Sequence, residues 1–226
     1  MQYAEKLAGC FIVDNNLKWW RKSNWSTSNN ANARGIAFSN GDYAFILYMY
    51  NYSTGCIWGP SNTDELDDKT YPEWANITLE KAITEEFMNG VEAAFAFNKS
   101  RASLPYIISR NDNYHAPEIF DGGNWVVKGS SPMCGLPSAW ELAMCDLNYE
   151  EITDLLNYIS GDDFEGGYGH WWTALQADKD NAIGIMEVGS GYGLSTSAFA
   201  YRPKSDTTYG AKVVYRAWPE DHGYLQ

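Results

Sequence analysis

Four cysteines (Cys10, Cys56, Cys134, Cys145) and three histidines (His115, His170, His222) are the first groups to weigh for chemistry. No two cysteines form a Cys-x-x-Cys pair, and the histidines are scattered, so a structural zinc site is not expected. Cys134 and Cys145 bracket Gly-Leu-Pro-Ser-Ala-Trp-Glu-Leu-Ala-Met. That stretch could serve as a metal clip, a redox pair, a disulfide loop or scaffold. A bridge across it would need the chain to fold back over a helix, and the favoured reading is four buried free thiols acting as small hydrophobes. Acyl transfer needs a nucleophile, a base and an orienting group. Serines and histidines are present, but no Gly-x-Ser-x-Gly elbow is. Paired carboxylates for glycoside hydrolysis are recognised by spatial separation, so they stay open at this level. Gln176-Ala177-Asp178-Lys179-Asp180-Asn181 has the look of a calcium loop without its sixth-position Gly and closing Glu, and reads as a solvated turn. Asp162-Asp163-Phe164-Glu165 and Asp64-Glu65-Leu66-Asp67-Asp68 read as solvated acidic faces. Trp171 and Trp172 are expected in the core, with His170 packed or at the surface. No catalytic residue, metal or cofactor is expected.

The elements that must position these groups follow from patterning. The chain has 226 residues, 45% hydrophobic and 20% charged, which fits one domain over 1–226. Its formal charge of −13 argues against nucleic acid and against an anionic membrane surface. The longest apolar run, Ala44 to Tyr50, is strand length and spans no membrane. Leu7-Ala8-Gly9-Cys10 reads like a lipobox, but only six residues precede it and none forms an apolar segment, so neither a lipid anchor nor a signal peptide is expected.

Cys10 to Val13 predicts a strand, and Ser39-Asn40-Gly41-Asp42 between Gly35–Phe38 and Tyr43–Tyr48 predicts a hairpin. The Ser/Asn-rich stretch 24–34 predicts a surface loop. Leu79, Ile83 and Phe87 predict a helix over 78–87. Ser138 and Glu141 make a capping box behind Pro137. A second cap at Asn148, the stripe Ile152, Leu155, Leu156, Ile159 and a closing Gly161 predict another helix. Strands are expected over 182–186, 194–201 and 212–218, with turns at 189–193 and 203–210. The order predicts an α+β fold with antiparallel sheets and two or three helices.

Cys134-Gly135-Leu136-Pro137-Ser138-Ala139-Trp140-Glu141-Leu142 resembles the Leu-Pro-(Ser/Thr) element of the DUF1566 and FISUMP (Fibrobacter succinogenes major paralogous) domains. Tyr149 to Ile159, His170 to Gln176, Asn181-Ala182 with Gly189, and Lys212 to Trp218 resemble that family's later elements in the same order. The likeness covers 134–218 and is vaguer over 9–98. Gln176, Tyr215 and Trp218 depart from the usual residues.

The resemblance implies a C-type-lectin-like fold, with N- and C-terminal strands paired, two helices and a loop-rich second sheet. It also implies binding through loops, as in bacterial surface or pilus adhesins and phage tail fibres. The expected function is thus a non-enzymatic receptor-binding module contacting a bacterial cell-surface glycan or protein. It would be a phage virion component, homo-oligomeric or assembled with other virion proteins, and located on a virion or extracellular surface. An adhesin, an architectural virion protein and an enzyme on the same fold are the alternatives. The ligand-binding candidates, all loop residues of the last third, are Tyr168, Asp178, Asp180, Asn181, Tyr192, Tyr201, Arg202, Lys204, Asp206 and Tyr209.

Overall fold

The computed structural model describes residues 8–16, 18–41, 44–51, 55, 57–58, 62, 78, 81, 134–137, 139–164, 170–186, 188, 199–212 and 214–216. All of the expected helix over 78–87 except Thr78 and Lys81, the turn at 189–193, Ser138, Cys56 and the side chain of Cys134 lie outside the described residues. The strands are β1 (Ala8–Asp14), β2 (Trp19–Trp20), β3 (Ala33–Asn40), β4 (Ala44–Tyr48), β5 (Cys134–Gly135), β6 (Trp171–Gln176), β7 (Asn181–Ile185), β8 (Phe199–Pro203) and β9 (Val214–Arg216). Two helices, α1 (Ala139–Leu147) and α2 (Tyr149–Tyr158), lie between β5 and β6.

One six-stranded sheet runs β2-β1-β3-β4-β9-β5 and a three-stranded sheet runs β6-β7-β8. Among the described residues each pair of these strands is antiparallel, in keeping with an α+β fold. The β3–β4 hairpin turns where Asn40-Gly41 predicts it, with Ser39 opposite Ala44 and Gly41 at φ +96°. Among the described residues the first and last strands, β1 and β9, are not paired, unlike the expectation from the family likeness. β1 already has β2 on one side and β3 on the other, so β9 joins the sheet against β4.

Helix α1 sits inside the molecule. Residues Ala139 to Cys145 are all buried, including Glu141. It packs on β6 and β7, while Trp140 reaches the opposite sheet and meets Phe38 and Phe45 edge-on at 6.3 and 6.1 Å between ring centroids. A helix apolar on all sides is a buried one, and α1 fills the space between the sheets. Helix α2 is amphipathic as expected and lays Ile152, Leu155, Leu156 and Ile159 into the same core, against β1 and β3. Fully burying each such side chain stabilises by about 1.5–3 kcal/mol.

Both helix ends differ in detail from the expectation. Asn148 does not cap α2 with its side chain; Nδ2 donates to the Met144 carbonyl at 2.8 Å and so closes α1. At the far end the left-handed residue is Ser160 (φ +64°), not Gly161. Gly161 N–H donates to Leu156 O at 2.8 Å and Ser160 N–H to Asn157 O at 3.2 Å, a Schellman closure. Gly161 is required for a different reason: a Cβ there would lie 2.6 Å from the Met49 carbonyl oxygen. Ser160→Gly is therefore expected to stabilise the protein by about 0.5–1 kcal/mol, since glycine takes positive φ without the side-chain clash. A thermal melt reads this, and an unchanged or lowered Tm would count against the left-handed cap.

The Ser/Asn stretch forms two short 3-10 turns, Lys22–Asn24 and Thr27–Asn32. It is mostly exposed but pinned, because buried Trp25 donates to Asn30 Oδ1 (2.9 Å) and Asn30 donates to the Tyr158 carbonyl (2.9 Å) at the end of α2.

Candidate recognition face

The polar loops of the last third hang on β6, β7 and β8. Asp178 organises the β6–β7 turn. Its Oδ1 accepts from Asp180 N and Asn181 N, both at 2.8 Å, and from Asn181 Nδ2 at 3.0 Å. Burial is the largest single influence and pushes its pKa up. The Asn181 and backbone hydrogen bonds, with Lys204 nearby, outweigh that and hold it below the usual carboxylate range. The turn that resembled a calcium loop thus uses its carboxylate on its own backbone.

Asp180 joins three segments. Its Oδ1 accepts from Asn62 N (2.7 Å) and its carbonyl from Lys204 N (2.9 Å). Lys204 is fully buried, against the expectation that it faces a ligand. Its ammonium donates to Gln176 Oε1 (2.6 Å) and to the Lys179 carbonyl (3.0 Å), and it lies 5.1 Å from the ring centroid of Trp58. Trp58 is itself buried and donates from Nε1 to the Thr173 carbonyl at 2.8 Å. Lys204 therefore ties the β6–β7 turn to the end of β8 beneath a tryptophan lid, and its role is scaffold.

Tyr209 is also buried, at 1% exposure, against the expectation that it faces a ligand. Its ring lies on Trp172 (4.6 Å between centroids) and under His170 (5.1 Å, stacked). It covers Gly184, where a Cβ would overlap the ring atoms Cε1 and Cδ1. The phenol oxygen accepts from Arg202 Nε at 3.0 Å. Gly184→Ala is expected to displace Tyr209 and cost about 1–3 kcal/mol by overpacking. Chemical denaturation measures it, and a neutral effect would mean that the ring is not confined there.

The remaining candidates stand outward. Tyr201 is 41% exposed, Asp178 is exposed, and Asp180, Asn181, Arg202 and Asp206 are half-buried. Asp206 Oδ1 accepts from Thr208 N (2.8 Å) and Thr208 Oγ1 (2.7 Å), fixing the loop after β8. Tyr168 and Tyr192 lie outside the described residues. The structure thus brings two loops together at one end of the second sheet, with Lys204 and Tyr209 beneath them. No protein-family model, curated protein or solved structure matches the chain.

The Asp162–Phe164 run proves to be a clasp. Lys212, buried completely, donates to the carbonyls of Asp162 (2.9 Å) and Asp163 (3.1 Å). Its ammonium lies 4.7 Å from the Phe164 ring centroid and 5.3 Å from that of Trp171. Sequence reasoning missed Lys212, Trp58 and Gln176 as organising residues, since each acts through partners distant in the chain.

The thiols of Cys10 and Cys145 are free and buried. Cys145 therefore has no disulfide to Cys134. Burial, then the charge and hydrogen bond of Glu151, push the Cys10 thiol up to about 12. Burial likewise raises Cys145 far above the ordinary thiol range. Both are protonated, unreactive core residues at neutral pH. Among the described residues, no three His, Cys, Asp or Glu side chains gather as a cation site.

Proposed function

We propose that the chain is a non-enzymatic recognition module, a fibre or receptor-binding component of a phage virion that contacts a bacterial cell-surface glycan or protein. The reading takes the fold as C-type-lectin-like, on the likeness of residues 134–218 to the DUF1566 and FISUMP domains. Two antiparallel sheets with α1 between them and α2 packed on the first agree with that likeness, and the β4–β9 pairing departs from it.

One observation carries the functional reading. The Asp178–Asn181 turn and the 204–209 loop are locked from below by Lys204 and Tyr209, while Tyr201, Arg202 and Asp206 remain open to solvent at one sheet end. A rigid polar and aromatic loop face binds without first losing its own conformational freedom, as binding surfaces with high specificity require.

Fluorescently labelled protein applied to a glycan array and to a panel of bacterial strains tests this. Binding to a restricted set of glycans or strains is expected. Absence of binding across both panels would sink the proposal.

A further inference from the structure

We propose that Arg202 anchors the carboxylate of an acidic sugar residue, which makes the ligand of this face an acidic saccharide. The inference rests on the recognition reading above and names the chemistry that the face selects.

Arg202 is preorganised. Nε donates to the Tyr209 phenol oxygen at 3.0 Å and Nη2 approaches Met186 Sδ at 3.5 Å. Tyr209 cannot yield, being packed among Trp172, His170 and Gly184. An arginine free in solvent loses about 1.5–2 kcal/mol of rotamer entropy when fixed. Here most of that loss is met by folding and not by the ligand.

Among the described residues no carboxylate forms an ion pair with Arg202, although the Asp206 charge is near enough to favour its charged form. A guanidinium carries five N–H donors in a fork that fits a carboxylate in bidentate fashion. Two positions of Arg202 are used, and both Nη1 donors have no partner among the described residues. Asp206, the nearby acid, spends Oδ1 on Thr208 instead. The ion pair among the described residues is Lys22 with Asp154, on a different part of the fold. The buried ammonium groups of Lys204 and Lys212, by contrast, are satisfied by carbonyl oxygens.

The rest of the face fits a sugar. A chain of net charge −13 repels phosphate-dense polymers, whereas one carboxylate among neutral hydroxyls meets little of that repulsion within a screening length of about 8 Å. Asp206 and Asn181 supply groups for hydroxyls. Tyr201, neighbouring Arg202 on β8 at the sheet edge, offers an exposed ring for the C–H face of a pyranose. Successive strand residues point to opposite faces. A saccharide of two or more units running over that edge reaches both.

The test uses the full chain and matched probes: oligosaccharides carrying glucuronate or sialate, and the same oligosaccharides with the carboxyl reduced to the alcohol. Binding by interferometry is expected for the acidic member, weaker by tenfold or more for the reduced one. Arg202→Lys, which keeps the charge and loses the fork, is expected to weaken acidic binding about tenfold, and Arg202→Gln more. Equal binding of acidic and reduced probes by the wild-type protein would overturn the inference, and needs no variant to fold. So would unchanged acidic binding by folded Arg202→Gln. If neutral saccharides bind through Tyr201 alone, the recognition reading stands and this inference falls. If no saccharide and no cell binds, both fall.

Discussion

Trp140→Ala is expected to lower the unfolding free energy by about 3–5 kcal/mol, the range for deleting a large aromatic from a well-packed core. Trp140 is 1% exposed and belongs to the helix that fills the gap between the sheets. Its ring is the contact between α1 and the inner face of β3 and β4, through Phe38 and Phe45. Each edge-on aromatic pair adds about 0.5–1.5 kcal/mol to the area buried. Helix α1 also supports β6 and β7, so the damage should spread to the recognition face. Urea denaturation of Trp140→Ala and Trp140→Phe measures both losses, with the Phe variant the milder. A loss below about 1 kcal/mol for the alanine variant would mean that α1 does not join the two sheets.

A second large effect should appear with pH. Burial pulls the Lys212 ammonium down to about 8, against an ordinary value of 10.5, although Asp162, Cys145 and Asp163 push the other way. Between those values the folded lysine is neutral and the unfolded one still holds its proton. The unfolded state then binds more protons, so raising the pH favours folding. The two thiols act oppositely. With folded pKa values raised, their contribution is intact below the unfolded thiol value of 9.0 and is lost above it, for Cys10 towards about 12. Making the comparison with Lys212→Met in a Cys145→Ala background removes the thiol coupled to Lys212, and subtracting the two curves cancels the Cys10 contribution. The difference in unfolding free energy, Cys145→Ala minus Cys145→Ala/Lys212→Met, is expected to rise by roughly 3 kcal/mol from pH 8 to pH 10.5. A flat difference would show that Lys212 titrates as an exposed lysine does.

These residues show which features the sequence announces. The α2 stripe and the Asn40-Gly41 hairpin are local: the pattern and the turn chemistry sit in one short window, and both appear as expected. The burial of Trp171 and Trp172 follows from their size and apolar neighbours. Asn148 reads in the sequence as the cap of α2, but an amide can also close the helix behind, and the choice depends on how tightly α1 and α2 abut. Lys204, Lys212 and Tyr209 were out of reach for a different reason. A lysine in a polar stretch reads as solvated. Its burial depends on Trp58 folding over from far upstream, or on Asp162, Asp163 and Phe164 presenting carbonyls and a ring. The pairing of β9 with β4 is equally non-local, fixed by β2 and β3 occupying both sides of β1. In the recognition face, Tyr201, Arg202 and Asp206 were legible as polar surface residues, although Tyr201 and Arg202 lie on strand β8 and Arg202 and Asp206 are half-buried. The distinction between them and the residues that hold them was not.

Recognition by the open end of the second sheet is tested most directly by comparing bacterial-cell binding of the wild type with Tyr201→Ala/Arg202→Ala, at matched Tm. The double variant should bind at least tenfold more weakly, because the substitutions remove the exposed ring and the guanidinium assigned to the ligand. Equal binding by a double variant that folds normally would contradict it.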